Sequence, residues 1–187
     1  GLWNCGKAAI DPPALVVLSK ELNPTGKKVT LVGKGIVYDT GGLSIKGTVG
    51  MCGMKADCGG SAALLSAYKA ACLNKPSDVS TLTVILCLAE NAIGPDAVRN
   101  DDIITFKSGR TCEVNNTDAE GRLVLSDGVA HATMGDADSQ PDILIDMATL
   151  TGAQMVSTGM RHAAIMTNDE EIEVAAVAAG KLSGDLC

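Results

Sequence analysis

The 187-residue sequence is poor in aromatic side chains, with one Trp, two Tyr and one Phe (Trp3, Tyr38, Tyr68, Phe106). Its core must therefore be assembled from Val, Leu, Ile and Ala. Histidine is scarcer still: two residues, His131 and His162, leave a His-rich metal centre or a Ser-His-Asp triad poorly supported. His131 falls in an apolar helical pattern and reads as a packed core side chain. The seven cysteines (5, 52, 58, 72, 87, 112, 187) are odd in number and contain no C-x-x-C pair. That pattern argues against a disulfide framework or a Cys-type zinc site and fits reduced thiols in a cytoplasmic protein. There is no excess of positive charge, since 15 Lys and Arg face 22 Asp and Glu for a net charge of −7. This sign disfavours nucleic acid or an anionic membrane surface as a partner. The longest apolar run, Leu82–Ala89 with Thr83 inside it, is far too short to span a membrane. The opening residues Gly1-Leu2-Trp3-Asn4-Cys5 carry no Met, basic segment or apolar stretch. No secretion signal is expected there, the chain reads as processed or as a fragment, and the sequon at Asn115-Asn116-Thr117 reads as chance.

What is present is ordinary for a globular chain of about one domain, with 46% apolar and 20% charged residues. Val29–Val37, Thr81–Ala89 and Asp142–Ala148 read as buried strands, the last two too apolar to be half-exposed, and Ala14–Ser19 is a fourth candidate. Between them lie helical patterns. Ser61–Leu73 places Leu64, Tyr68 and Ala71 or Cys72 on one face, and Arg122–Met134 does the same with Leu125, Val129 and Ala132. A third helix is expected from Asp169 to about Leu182, with Thr167-x-x-Glu170 as its capping box. Alternating strands and helices imply an α/β fold, a mixed, mostly parallel sheet with helices on both faces, with no repeat, linker or internal boundary.

Nine of the 21 glycines fall within residues 33–60, so the backbone there turns often and approaches something closely. A phosphate loop is not indicated, because G-x-x-x-x-G-K-[ST] is absent and Gly33-x-Gly35 is followed by Tyr38 at the third glycine position. The same stretch carries Lys34, Asp39, Lys46, Lys55 and Asp57, and Asn116-Thr117-Asp118-Ala119-Glu120-Gly121-Arg122 follows. Carboxylates are hard oxygen ligands suited to Mg²⁺, Mn²⁺ and, less exclusively, Zn²⁺. Asp118 and Glu120 are two apart, so an extended segment would point both the same way. Taken alone, D-x-E reads better as a solvated acidic turn before a helix. Asp39-Thr40-Gly41 also matches the aspartic-protease triplet, but only once, and neighbouring lysines would disturb a shared-proton pair.

The segments Val32-GKGIVYDTGGLSIK-Gly47, Met54-KADCG-Gly60, Asn116-TDAEGRLVLSD-Gly128 and Asp146-MATLT-Gly152 resemble the catalytic core of the leucyl (cytosol) aminopeptidase family. NTDAEGR is that family's signature. YDTGGLSIKG, DCGG, LAEN-x-x-GP and DMATLTGAQ are most similar to an animal branch of probable aminopeptidase-like proteins. The resemblance runs from about residue 6 onward. It implies the central part of a C-terminal catalytic domain, with an N-terminal domain and the C-terminal end of the catalytic domain lying outside the chain.

Carried over by position, the resemblance implies two divalent ions per subunit, Zn or Mn, with Mg or Co as further candidates. Asp39, Asp118 and Glu120 would hold the looser ion, with the Asp118 carbonyl. Lys34, Asp39, Asp57 and Glu120 would hold the tighter one. Lys46 and Arg122 take the catalytic positions, with bicarbonate at Arg122 as general base. In physical terms, two bridged ions share a hydroxide at neutral pH. Lys34 ligates only as a neutral amine, so its pKa must be depressed. Lys46 stays charged to stabilise an oxyanion, and Arg122 sits where a helix N-terminus would converge on the same anion. Met54, Thr149, Leu150 and Gly152 match part of the substrate site, Leu150 through its carbonyl. The expected activity is release of N-terminal residues from peptides, with a leucine-like preference, by a homohexamer. The alternative is a non-catalytic fragment or pseudoenzyme that binds metal or assembles without turnover. Cys52 stands where the leucyl aminopeptidases usually carry Asp, and Cys58 replaces a common Met. Both read as packing residues rather than as redox regulators.

Overall fold

The computed structural model describes residues 1–187, which divide into two compact units, Gly1–Thr149 and Leu150–Cys187. No linker composition marks the division. The first unit contains α1 (Leu2–Gly6), β1 (Ala14–Glu21), β2 (Lys27–Asp39), α2 (Thr48–Met51) and a 3₁₀ turn at Met54–Ala56. It continues with α3 (Gly59–Asn74), β3 (Val79–Asn91), β4 (Ile103–Thr105), β5 (Thr111–Glu113), α4 (Glu120–Thr133), a second 3₁₀ turn and β6 (Ile143–Met147). The second unit carries α5 (Ala153–Ser157) and α6 (Glu170–Ser183). No helix is long and apolar enough to cross a membrane.

The main sheet has the order β1-β3-β2-β6, with β3 and β6 parallel to β2 and only the edge strand β1 antiparallel. This is the mixed, mostly parallel sheet expected from alternating apolar strands and helical segments. Side-chain alternation divides the core between two faces. Val32, Ile36, Ile85, Cys87 and Ala89 pack with Leu123, Val124 and Leu125 of α4 and with Leu2 and Cys5 of α1. Leu31, Val84, Leu86 and Leu88 face Leu64 and Tyr68 of α3. β4 and β5 form a separate two-stranded ribbon.

Four expectations are corrected. β6 is not fully buried within these 187 residues: it pairs only with β2, and Ile145 and Met147 are 39% and 42% exposed on this chain. His131 is exposed in the last turn of α4 rather than packed in the core, its position turning away from the stripe that meets the sheet. α4 begins two residues earlier than the apolar pattern suggests, at Glu120, whose carboxylate suits the positive end of the helix dipole. α6 is capped by Asp169, which accepts from the Glu171 and Ile172 N–H groups at 2.9 and 3.2 Å, while Thr167 Oγ1 accepts from Asp169 N–H instead. A Thr167-x-x-Glu170 box is therefore not formed.

Two contacts fasten the layers of the first unit. At Gly60 a Cβ would stand 2.1 Å from the Met147 carbonyl oxygen, so only glycine lets α3 approach β6 this closely. Asp127 of α4 accepts from Leu2 N–H at 2.7 Å and Lys107 N–H at 2.8 Å. Although burial opposes ionisation of Asp127, these donors outweigh it and hold the carboxyl below its ordinary range. Gly60→Ala should cost about 1–3 kcal/mol, read as a lower denaturant midpoint at unchanged slope. Asp127→Ala should cost about 1–3 kcal/mol at neutral pH by orphaning two amides. A depressed folded-state pKa stabilises above the unfolded value, about 3.9, and is lost as pH falls through the folded one. The gap between the parent and Asp127→Ala should therefore narrow in acid-titrated melts below pH about 4.

Candidate metal centre

The site lies at the carboxyl ends of the parallel strands, where open α/β sheets characteristically place their chemistry. Lys34 sits within β2 on the α4 side, with Val32 and Ile36. Strict alternation would send Asp39 to the opposite face. The register instead shifts between Ile36 and Tyr38, where β2 pairs with β3, leaving one residue unopposed. That bulge advances the side-chain phase by one, and Asp39 returns to the side of Lys34.

Lys34 is 2% exposed, and its Nζ lies 2.8 Å from both Asp57 Oδ1 and Glu120 Oε1. A third contact runs from Nζ to the Thr149 carbonyl at 2.9 Å, and Thr149 Oγ1 donates to Asp57 Oδ1 at 2.9 Å. Burial works against the ammonium. The charge of Glu120 and the hydrogen bonds to Asp57 and Glu120 overcome it and raise the Lys34 pKa. Without an ion, Lys34 is the counter-charge of these acids; the depressed pKa expected of a ligating Lys34 belongs to the ion-bound site. Glu120 is raised mainly by burial and further by Asp39, against the pull of Lys34.

Lys46 forms the second bridge, with Nζ 2.9 Å from Asp39 Oδ2 and 2.6 Å from Asp118 Oδ1. Burial opposes its charge, but hydrogen bonds to Asp118 and Asp39 raise its pKa. It is carried by the loop after β2, which turns through Gly41 and Gly42 at φ +85° and +63°, conformations that favour glycine. Asp118 and Glu120 do not share an extended segment. One precedes α4 and meets Lys46, and the other opens α4 and meets Lys34. An aspartic-protease reading of Asp39 loses support, since Lys46 occupies the oxygen that a shared proton would need.

Asp39, Asp57 and Glu120 each offer a carboxylate oxygen, and these oxygens lie within 4.8 Å of one another. Asp57 Oδ2 and Glu120 Oε2 are buried without a hydrogen-bond partner. Orphaned anionic oxygens in a dry site are costly unless a cation meets them. The donor set therefore fits a hard divalent ion. Arg122 is the third residue of α4, and its side chain is exposed. Met54 opens the 3₁₀ turn ahead of Asp57. Thr149 meets the cluster through its carbonyl and its hydroxyl, and Leu150 and Gly152 belong to the second unit. Cys52 is exposed, and Cys58 is half-buried with its thiol toward the Lys55 carbonyl at 3.5 Å. Two residues that were not singled out from sequence prove central. Asn91 reaches Asp39, and Thr117 donates to the Gly41 carbonyl at 2.7 Å while accepting from Ser44 N–H at 2.8 Å. Both stand inside the quoted LAEN and NTDAEGR strings, but neutral side chains carry no metal-ligand signal.

Replacing Lys34 by Met should leave Asp57 and Glu120 uncompensated and lower the unfolding free energy in chelator by about 3–5 kcal/mol. Denaturant titration of Lys34→Met against the parent checks this, with equal midpoints contradicting it.

Residues 1–187 match the sequence profile of the cytosol aminopeptidase family, catalytic domain. Probable aminopeptidase NPEPL1 of Mus musculus is 55% identical over 186 residues, covering 100% of this chain and 34% of that protein. A leucyl aminopeptidase from Trypanosoma brucei in complex with bestatin superposes with a TM-score of 0.95 at 53% identity, covering 100% of this chain and 36% of that one. The bottromycin maturation enzyme BotP in complex with Mn gives a TM-score of 0.90 at 35% identity, covering 99% and 40%. The chain thus spans about a third of the length of the curated relatives it matches.

Proposed function

The chain belongs to the cytosol aminopeptidase family, and from that premise we propose that it is the central part of a catalytic domain that removes N-terminal residues from peptides. The observation that carries this reading is the convergence of Asp39, Asp57 and Glu120 around orphaned oxygens, with two lysines beside them. Lys34, Asp39, Asp57 and Glu120 would hold one divalent ion, and Asp39, Asp118 and Glu120 a second. Zn and Mn are the first candidates, since the neighbour BotP is in complex with Mn. When bound, such a pair supplies an activated water and Lewis-acid polarisation at neutral pH.

The chain's own residues take the remaining roles. Lys34 would surrender its proton to ligate, so ion binding competes with the ammonium seen between Asp57 and Glu120. Lys46, freed from Asp39 and Asp118 by the incoming charge, would present its ammonium to the scissile carbonyl and stabilise the developing oxyanion. The exposed Arg122 would hold bicarbonate as general base near the start of α4. Met54, Thr149, Leu150 and Gly152 would contribute to the substrate site, and a leucine-like first residue is the preference proposed. By family resemblance we further propose a cytoplasmic homohexamer.

The short coverage of its relatives favours one second reading for this chain taken alone, a metal-binding piece without turnover. Hydrolysis of a leucine anilide with Mn²⁺ or Zn²⁺, before and after chelation, separates the two when run on the chain and on a full-length version. Chelator-sensitive turnover is expected at full length, falling by about 10²–10³ in Lys46→Ala. Full-length protein without such activity, or with activity intact in Lys46→Ala, sinks the mechanism. Turnover confined to the full-length form supports the second reading for this chain.

A further inference from the structure

We propose that Asn91 is a positioning residue that decides which oxygen of Asp39 is presented to a metal ion, an inference that rests on the two-ion reading above. Asn91 ends β3 as the register partner of Asp39, the last residue of β2, and is 2% exposed. Its odd-numbered neighbours Ile85, Cys87 and Ala89 face α4, so the pleat carries Asn91 to the side on which the bulge has placed Asp39. The amide Nδ2 donates to Asp39 Oδ1 at 2.8 Å and to the Thr117 carbonyl at 3.1 Å. Both partners are acceptors, which fixes the amide orientation.

Gly41 N–H also donates to Asp39 Oδ1, at 2.9 Å. Both lone pairs of Oδ1 are thereby engaged by uncharged donors, and Oδ2 is left to Lys46 at 2.9 Å. A cation approaching Asp39 meets a single oxygen, the one paired with Lys46, rather than a chelating pair. The same residue ties together the two ligand-bearing segments. Its carbonyl accepts from Thr40 Oγ1 at 2.6 Å and Thr40 N–H at 3.1 Å, while its amide holds the carbonyl of the residue before Asp118. An uncharged donor suits this place, because it orients Asp39 without cancelling the charge a cation would use. Groups of this kind commonly set metal affinity as strongly as they set ligand geometry.

The test is calorimetric titration of Mn²⁺ into the 187-residue chain and its Asn91→Leu and Asn91→Ala variants, with circular-dichroism melts in chelator and visible spectra of the Co²⁺ forms. The two variants remove the donor with and without filling its volume, so one can serve if the other does not fold. A fall of about 10–100-fold in Mn²⁺ affinity is expected, with the metal-free fold retained. Weaker Co²⁺ d–d bands should accompany it, as a freed Oδ1 raises the coordination number. Unchanged affinity or unchanged bands in a folded variant overturns the proposal, as does loss of the metal-free fold in both, which would make the amide a structural group. Absence of ion binding by the unsubstituted chain would instead refute the two-ion reading, and the positioning role with it.

Discussion

The ammonium of Lys34, buried between Asp57 and Glu120, is the interaction on which the first unit's chemistry depends. It joins the interior of β2, the approach to α3 and the first turn of α4 at one point. Burying charge there is tolerable only because each partner compensates another, and removing one leaves the rest in a medium that solvates them poorly. The compensation is incomplete. Oxygens of Asp57 and Glu120 remain without partners, and that residual demand for positive charge suits the cluster to a cation.

Lys46 answers the same demand from a different direction. Its ammonium, less deeply buried, spans Asp39 and Asp118 from a mobile-length side chain on a glycine-turned loop. The two lysines therefore divide the acids between them, one fixed in a strand and one on a turn. The acidic net charge of the sequence is partly the composition of this cluster.

Backbone geometry sets the stage for these charges. The bulge before Asp39 brings this odd-numbered residue to the face of the even-numbered Lys34. Close approach at Gly60 draws the start of α3, just after Asp57, toward the end of β6, and Thr149 shortly beyond it is the partner of both Lys34 and Asp57. The buried thiols stay protonated: burial, with Glu120 near Cys5 and Asp127 near Cys87, raises both to about 12.

The sequence by itself determined the alternation of apolar strands and amphipathic helices, and hence the α/β class, because burial period is a local property. Its NTDAEGR run and the lysines and aspartates of the glycine-rich stretch marked the candidate ligands by type. Tertiary structure decided everything that depends on register and edge position. It left β6 half-exposed at the sheet edge, put His131 in solvent, and turned Asp118 and Glu120 toward different lysines. It also made a charged Lys34 the counter-ion of Asp57 and Glu120 in the ion-free chain, where the family resemblance implies a neutral amine once an ion is bound. Asn91 shows the limit most clearly. A neutral amide has no charge or spacing by which to be recognised, and its role exists only because two strands end side by side.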